Sequence, residues 1–146
     1  MHIPARLVLD TNVWLDWLVF GDPCVAAIKA AVAAERAEVF IDAACEAELE
    51  RALGYDLGRK FTLDAKAQGA CLAECRRVAL RIESAPPEAA RARLPACRDR
   101  DDQKFLEAAL AAGAHLLVTK DRALLELARR TARFGIVTPE GFAAGL

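Results

Sequence analysis

Near the start of the chain stands Leu7-Val8-Leu9-Asp10-Thr11-Asn12, in which a short apolar run ends in a carboxylate. Three consecutive apolar residues are too few for a buried helix and fit a strand that is covered on both faces. The pattern recurs at Leu116-Leu117-Val118, which Asp121 follows. In open α/β proteins, residues at the carboxyl ends of parallel strands line the ligand site. The two runs therefore predict a parallel sheet with acids gathered along one edge.

Strands and helices are predicted to alternate along the chain. Short apolar runs predict strands at 6–9, 38–41, 115–119 and 135–138. Apolar spacing and capping residues predict helices at 13–20, 24–34, 43–53, 64–80, 102–112 and 121–130. The Pro-containing stretch 84–95 is expected to be an irregular surface connection. This alternation predicts a three-layer α/β/α sandwich around a central parallel sheet of four to five strands, with residues 1–146 forming one domain.

Composition narrows the class of protein. The chain has 146 residues and a formal net charge of −1, so no global basic field attracts nucleic acid, and any such contact needs a local patch. No basic leader with an apolar segment opens the sequence, and no apolar run approaches the roughly 20 residues that span a bilayer. The five cysteines include no CxxC pair, and His2 and His115 are isolated. We expect a cytoplasmic protein with reduced, buried cysteines and no membrane contact.

Four acids in four separate stretches are the strongest functional signal. They are Asp10, Glu48, Asp102 and Asp121. Each has an ordinary structural explanation, because aspartate is a common helix N-cap and a helical glutamate is often simply solvated. Their joint placement at one edge of the predicted sheet is harder to explain in that way. Clustered carboxylates repel one another unless a cation neutralises them, so the arrangement predicts a divalent metal site.

Four motifs in the same order and spacing resemble the PIN domain. They are Leu9-Asp10-Thr11-Asn12, the helix with Glu48-Leu49, the block at 97–106, and Leu117-Val118-Thr119-Lys120-Asp121. The likeness covers nearly the whole chain and is closest to the VapC-like ribonucleases, the toxin components of toxin–antitoxin pairs. The final segment, Thr138-Pro139-Glu140-Gly141-Phe142, also resembles that branch.

The resemblance implies a metal-dependent ribonuclease whose acidic centre comprises Asp10, Glu48, Asp102 and Asp121. Asn12 and Thr119 would contact these acids and hold them in position without binding the metal themselves. Carboxylate oxygens suit Mg²⁺ or Mn²⁺, which would activate a water for in-line attack on phosphorus and leave 5′-phosphate and 3′-hydroxyl ends. RNA would be the substrate, and an antitoxin that covers the acidic pocket would be the protein partner.

Two acid-rich blocks leave alternatives open. Glu46 or Glu50 could stand in for Glu48, which is preferred because it precedes Leu49 as in the family pattern. Asp99 or Asp101 could join Asp102, which is preferred because it lies directly before a helix. The chain departs from the branch at Arg100, where proline is common, and in the segment after Leu53. Neither departure touches a proposed ligand.

Basic residues flank the predicted site in sequence. They are Arg98, Lys104, Lys120 and Arg122. Arg and Lys commonly hold backbone phosphates, so these residues are candidates for substrate contacts. For any one of them, a solvated surface charge is at least as good an explanation.

Other functions that use similar folds fit the sequence less well. A phospho-acceptor signalling domain needs an acidic pair after the first strand, and a dehalogenase-type phosphatase needs a second aspartate where Asn12 stands. A binding-only relative of the same fold is disfavoured because all four acids are present. A housekeeping RNA-processing nuclease remains the main alternative to a toxin.

Apolar side chains on two early helices suggest a surface for an antitoxin or a homodimer. Trp14, Trp17 and Leu18 share one helical face, and a second stripe is formed by Val25, Ile28 and Val32. Core packing is the competing explanation of both groups, especially for the tryptophans.

Overall fold

A parallel sheet forms the centre of the protein, seen in a computed structural model that describes residues 3–55 and 62–145. Its strands are β1 (Ala5–Leu9), β2 (Ala37–Ile41), β3 (Ala79–Arg81), β4 (Leu116–Val118) and β5 (Gly135–Val137). They are ordered β3-β2-β1-β4-β5, and every neighbouring pair is parallel.

Helices connect the strands and pack on the sheet. They are α1 (Thr11–Leu15), α2 (Ala26–Ala33), α3 (Ala43–Leu53), α4 (Ala65–Val78), α5 (Glu88–Ala92), α6 (Gln103–Ala112), α7 (Arg122–Leu125) and α8 (Pro139–Gly145). α2 packs against β2, and α6 packs against β1. Right-handed crossovers put helices on both faces when strand order runs first one way and then the other. The predicted α/β/α architecture with a parallel sheet is confirmed.

The strand order reverses beside β1, and this reversal positions the functional site. The chain builds β2 and β3 on one side of β1 and then crosses to β4 and β5 on the other. Loops that leave β1 and β4 therefore diverge and open a crevice at their carboxyl ends. The backbone N–H of Asp10 donates to the carbonyl of Val118 at 3.1 Å, so the two strand ends are fixed to each other.

The central strand is fully covered, as its run of apolar residues predicts. Leu7, Val8 and Leu9 lie in the core with Leu117 of the neighbouring strand. Burying each such side chain contributes about 1.5–3 kcal/mol relative to leaving it exposed. This packing fixes the register of β1 and with it the place where Asp10 leaves the sheet.

The apolar surface expected for a partner lies mostly inside the protein. Trp14, Val25 and Ile28 are buried in the core, so that expectation is wrong for these three residues. Trp17 and Val32 are partly buried and pack against the same core. The regularly spaced apolar residues that suggested an interface therefore form the face of the early helices that packs on the core.

One strand escapes prediction from the sequence. The predicted helix 64–80 ends at Val78, and the chain passes without a break into β3. β3 is an edge strand whose residues are half-buried or exposed, so it lacks the apolar run that marks a central strand. Pairing with β2 fixes it, and the backbone N–H of Ile82 extends the ladder to the carbonyl of Ile41 at 2.9 Å.

Three connections differ from the predicted elements. The first helix begins at Thr11 and widens into a π turn at Asp16–Phe20, which Gly21 ends in the left-handed conformation with φ of 56°. The helix predicted at 121–130 is limited to α7. After α7, hydrogen bonds between residues three apart replace the α-helical pattern, for example from the Arg130 N–H to the Leu127 carbonyl at 2.8 Å. α5 forms within the stretch expected to be irregular, because Pro87 opens a run of good helix formers.

The remaining general features concern cysteines, histidines and the membrane. All five cysteines are free thiols, and Cys45, Cys75 and Cys97 are buried.

His115 accepts a hydrogen bond from the Arg6 backbone at the amino end of β1, and His2 lies outside the described residues. Within the described helices, none has both the length and the apolar character that crossing a bilayer requires.

Candidate functional site

A cleft of about 550 Å³ opens at the carboxyl edge of the sheet, where the strand order reverses. It is called the acidic cleft here, because it is lined by Asp10, Glu48, Asp101, Asp102 and Asp121. The structure thus brings all four sequence-predicted acids to one side of the sheet. They arrive from the end of β1, from α3, from the turn before α6, and from the segment after β4.

Asp10 is the most deeply placed of these acids, with 3% of its surface exposed. It follows β1 directly and caps α1, since one carboxylate oxygen accepts the backbone N–H of Val13 at 3.0 Å. The other oxygen accepts a hydrogen bond from the Thr119 hydroxyl. Burial raises the pKa of Asp10 to about 6, and the two hydrogen bonds offset only part of this effect. The ionised form of Asp10 is therefore less favourable than that of an exposed aspartate.

Thr119 joins the two strand ends through its side chain. Its hydroxyl donates to Asp10 and accepts the backbone N–H of Asp121 at 2.9 Å. Thr119 is fully buried, and its own N–H donates to the carbonyl of Val137 at 2.9 Å. This single side chain contacts both Asp10 and the backbone that carries Asp121. Its role as a supporting residue of a metal site stays a prediction.

Asp102 and Asp121 lie close enough in the cleft for their carboxyl groups to share a hydrogen bond. Asp121 caps α7 by accepting the Ala123 N–H at 2.9 Å, whereas one Asp102 oxygen is buried and has no hydrogen-bond partner in the described part of the chain. Burial raises the pKa of Asp102, as does Asp121, by hydrogen bonding to the protonated form and by its charge. Two ionised carboxylates have no proton to share, so the buried oxygen needs a proton, a water or a cation as its partner.

Glu48 is held at the side of the cleft by two groups. The Thr11 hydroxyl donates to one carboxylate oxygen at 2.5 Å, and the Lys104 ammonium donates to the other at 2.7 Å. Thr11 was not predicted to take part, although it directly follows Asp10 in sequence. Asn12, predicted to support the acids, instead lines the cleft itself and is exposed.

The donor set of the acidic cleft fits a hard divalent cation. Its groups are carboxylates, two of them have raised pKa values, and one buried oxygen lacks a partner. Among the described residues, no three of the four predicted acids offer oxygens within 4.8 Å of one another. Three of these acids therefore do not already surround one point. Mg²⁺ or Mn²⁺ would be held there by few carboxylates directly and would keep several waters.

A second group of metal-type ligands lies outside the cleft. Asp16, Asp22 and Cys24 offer atoms within 4.8 Å of one another. The Lys120 ammonium already forms an ion pair with Asp16, and the Cys24 thiol lies 3.5 Å from the same carboxylate as a donor. Burial, reinforced by the neighbouring aspartates, raises the pKa of the Cys24 thiol to about 12, so it is a poor source of thiolate. This cluster is explained by its internal pairing.

The alternative acids of the glutamate block point away from the cleft. Glu46 is bonded to Arg76 at 3.3 Å and to Arg81 at 3.0 Å, on the side of β3. Burial alone raises the pKa of Glu46, but the two arginines outweigh burial and lower it. Glu50 is exposed and does not line the cleft. Of the three glutamates, only Glu48 reaches the other acids.

The aspartate block divides differently. Asp99 caps the turn before α6 by accepting the Asp101 N–H at 3.0 Å and is not part of the cleft lining. Asp101 is exposed and lines the cleft at its mouth, beside Asp102. A role of Asp101 beside Asp102 therefore stays a prediction, while Asp99 has a structural function.

Of the four flanking cations, Lys104 alone lines the cleft among the described residues. Arg98 is exposed and paired with Glu126 at 3.0 Å, and Arg122 is exposed away from the lining. Lys120 is engaged by Asp16. Their phosphate contacts stay predictions. Arg51, which was not singled out, does line the cleft, and its place three residues after Glu48 on one helix is the signal that would have found it.

Comparison with known proteins identifies the family. A family model described as "PIN domain" matches residues 6–123, more than half of the chain and all four predicted acids. No curated protein matches the sequence significantly.

Two solved structures share the fold at low sequence identity. PAE2754 from Pyrobaculum aerophilum is 19% identical with a TM-score of 0.62, over 97% of this chain and 88% of that one. VapBC2 from Rickettsia felis, bound to a DNA fragment from their promoter, is 13% identical with a TM-score of 0.62, over 91% of this chain and 98% of that one.

The raised pKa of Asp10 predicts how stability of the metal-free protein depends on pH. A carboxyl whose pKa is about 6 in the fold and 3.8 when unfolded binds protons more tightly in the folded state. Its destabilising effect is therefore full above pH 6 and is relieved as the pH falls toward 3.8. Between pH 7.5 and 5, the free energy of unfolding should rise by about 1 kcal/mol from Asp10, and Asp102 acts in the same direction.

Urea unfolding in EDTA at several pH values measures this effect, and Asp10→Asn is the matched control. Asp10→Asn should have a higher free energy of unfolding than wild type at pH 7.5, and this difference should become smaller toward pH 5. A stability difference that stays constant with pH would show that the pKa of Asp10 is not raised by burial.

Proposed function

Because the chain belongs to the PIN domain family, as its motifs predict, we propose that it is a metal-dependent endoribonuclease and the toxin of a toxin–antitoxin pair. PIN domains are generally nucleases, so hydrolysis of a phosphodiester bond follows from the family. RNA as the substrate, Mg²⁺ or Mn²⁺ as the cofactor and a cytoplasmic location are parts of the proposal.

One observation carries the proposal: five carboxylates, including all four predicted acids, line one open cleft, and a buried Asp102 oxygen there has no partner among the described residues. A structural role would leave these acids paired with cations or solvated, as Glu46 and Glu50 are. Among the described residues, Glu48 has an ion-pair partner within 4.0 Å, whereas Asp10, Asp102 and Asp121 have none. The charge of Asp121 raises the pKa of both Asp10 and Asp102.

In this proposal, Asp10, Glu48, Asp102 and Asp121 hold the metal. When bound, the cation would lower the pKa of a water and stabilise charge on the phosphorus oxygens. Thr119 keeps Asp10 and the Asp121 backbone in place, and Thr11 and Lys104 orient Glu48. Fixed carboxylates of this kind limit the reorganisation that the reaction requires. The proposed products carry 5′-phosphate and 3′-hydroxyl ends.

The toxin assignment is supported by the motifs that resemble VapC-like ribonucleases and by the fold shared with VapBC2. An antitoxin would restrain the enzyme by covering the acidic cleft. The crowded carboxylates would attract a basic side chain of such a partner, because a cation in the cleft relieves their repulsion. A homodimer is a further proposed assembly.

Substitution of the buried acid tests the activity. Asp10→Asn should lower cleavage of single-stranded RNA by about a hundredfold or more in Mg²⁺ or Mn²⁺, since it removes charge that binds and orients the cation. Wild-type cleavage should stop in EDTA and return when the metal is restored. The assay measures the loss of a labelled RNA and the chemistry of its new ends.

The matched control is Glu46→Gln, which removes an acid of the same helix outside the cleft. It should keep near wild-type cleavage despite lower stability. Wild-type turnover by Asp10→Asn, with its fold intact by circular dichroism, would contradict the proposed site.

Bacterial expression separates a toxin from a housekeeping nuclease. Wild type should arrest growth and Asp10→Asn should not, because arrest requires cleavage. Co-expression of the gene adjacent to this one should restore growth if it encodes the antitoxin. Equal growth with both variants at equal soluble yield would instead favour the housekeeping nuclease.

A further inference from the structure

We propose that Arg51 and Tyr55 form a nucleotide subsite beside the acidic cleft, in which Arg51 holds a phosphate and Tyr55 stacks on an unpaired base. The inference rests on the proposed ribonuclease function. It adds the form of RNA that the cleft accepts: a strand with an unpaired base next to the position of cleavage.

The two residues continue one face of α3 outward from the acids. Glu48, Arg51 and Tyr55 are three and four residues apart, and all three line the cleft. The helical course extends past the end of α3, because the N–H of Tyr55 donates to the carbonyl of Ala52 at 3.1 Å. At 1.5 Å per residue the row is about 10 Å long. At 3.4 Å per stacked nucleotide, this length corresponds to roughly three nucleotides.

Arg51 differs from the other cation of the cleft. Lys104 is committed to Glu48 at 2.7 Å, whereas no carboxylate of the described residues lies within 4.0 Å of the exposed Arg51 guanidinium. This holds although several acids line the same cleft. Its N–H donors therefore remain available, and a planar guanidinium matches the oxygens of a phosphate well.

Tyr55 presents an aromatic ring where the fold has no need of one. Its side chain is 58% exposed, and the other large apolar side chains exposed in the described regions, Ile3 and Leu80, do not line this cleft. Stacking on an aromatic ring is available only to a base that has left its own helix. Glu48, Arg51 and Tyr55 thus form one row. Glu48 would hold the metal, Arg51 would bind a phosphate of the RNA strand, and Tyr55 would stack on a base of that strand.

RNA binding without cleavage tests the subsite. The protein is Asp10→Asn in EDTA, and the probe is a fluorescein-labelled single-stranded RNA of about 12 nucleotides, measured by anisotropy at several salt concentrations. Tyr55→Leu should weaken binding by about tenfold and leave the salt dependence unchanged, while Tyr55→Trp should restore it. Arg51→Gln should weaken binding and reduce the slope of log K against log salt by about 0.7, the value for one phosphate contact on a single strand.

Leu80→Ser and Arg91→Gln are the matched controls, since both residues are exposed and neither lines the cleft. Both should bind like the parent protein. Parent binding that Tyr55→Leu and Arg51→Gln leave unchanged would overturn the subsite alone. Failure of wild type to bind or cleave any RNA would overturn the proposed function together with the subsite. An equal loss from Tyr55→Leu with a blunt RNA duplex would overturn the requirement for an unpaired base.

Discussion

The hydrogen bond between Thr119 and Asp10 is the interaction on which the site depends. It links the ends of two neighbouring strands at the point where strand order reverses, and it keeps a carboxylate inside the protein. Burial of an ionised group is costly unless other groups compensate, and here one hydroxyl and one backbone N–H do so only in part. The apolar core beneath β1 holds Asp10 in this position, because moving it would expose Leu7 and Leu9.

The unsatisfied charge explains the remaining arrangement of the cleft. Asp102 keeps a buried oxygen without a donor, and Asp121 raises the pKa of Asp102. The acids that do have partners behave differently: Glu46 is neutralised by arginines, and Asp16 is paired with Lys120. The described part of the chain thus pairs these acids outside the cleft with cations, and it leaves Asp10, Asp102 and Asp121 without an ion pair. A bound divalent ion removes this repulsion, so metal binding and stability of the fold are expected to be coupled.

Sequence predicted the parts of the site that depend on strand ends. Asp10 and Asp121 follow central strands whose apolar runs are unmistakable, and parallel pairing brings the carboxyl ends of such strands together. The sequence was less informative about helix faces, because Glu46 and Glu48 differ by about 200° around α3 and only packing decides which one faces the cleft. Ion pairs between distant residues could not be predicted either, since no residue near Lys120 in sequence indicates that it pairs with Asp16. The edge strand β3 went unseen because its stability comes from β2 rather than from its own residues.

The crowded and partly protonated carboxylates of the acidic cleft are expected to bind a divalent cation. Calorimetric titration of metal-free protein with Mn²⁺ at pH 6, in two buffers that differ in ionisation enthalpy, measures binding and proton release together. We expect wild type to bind Mn²⁺ and release protons, since the pKa of Asp10 is about 6 and metal displaces its proton. Asp10→Asn should bind Mn²⁺ much more weakly. Equal binding by both proteins, or binding without proton release, would show that Asp10 does not hold the cation.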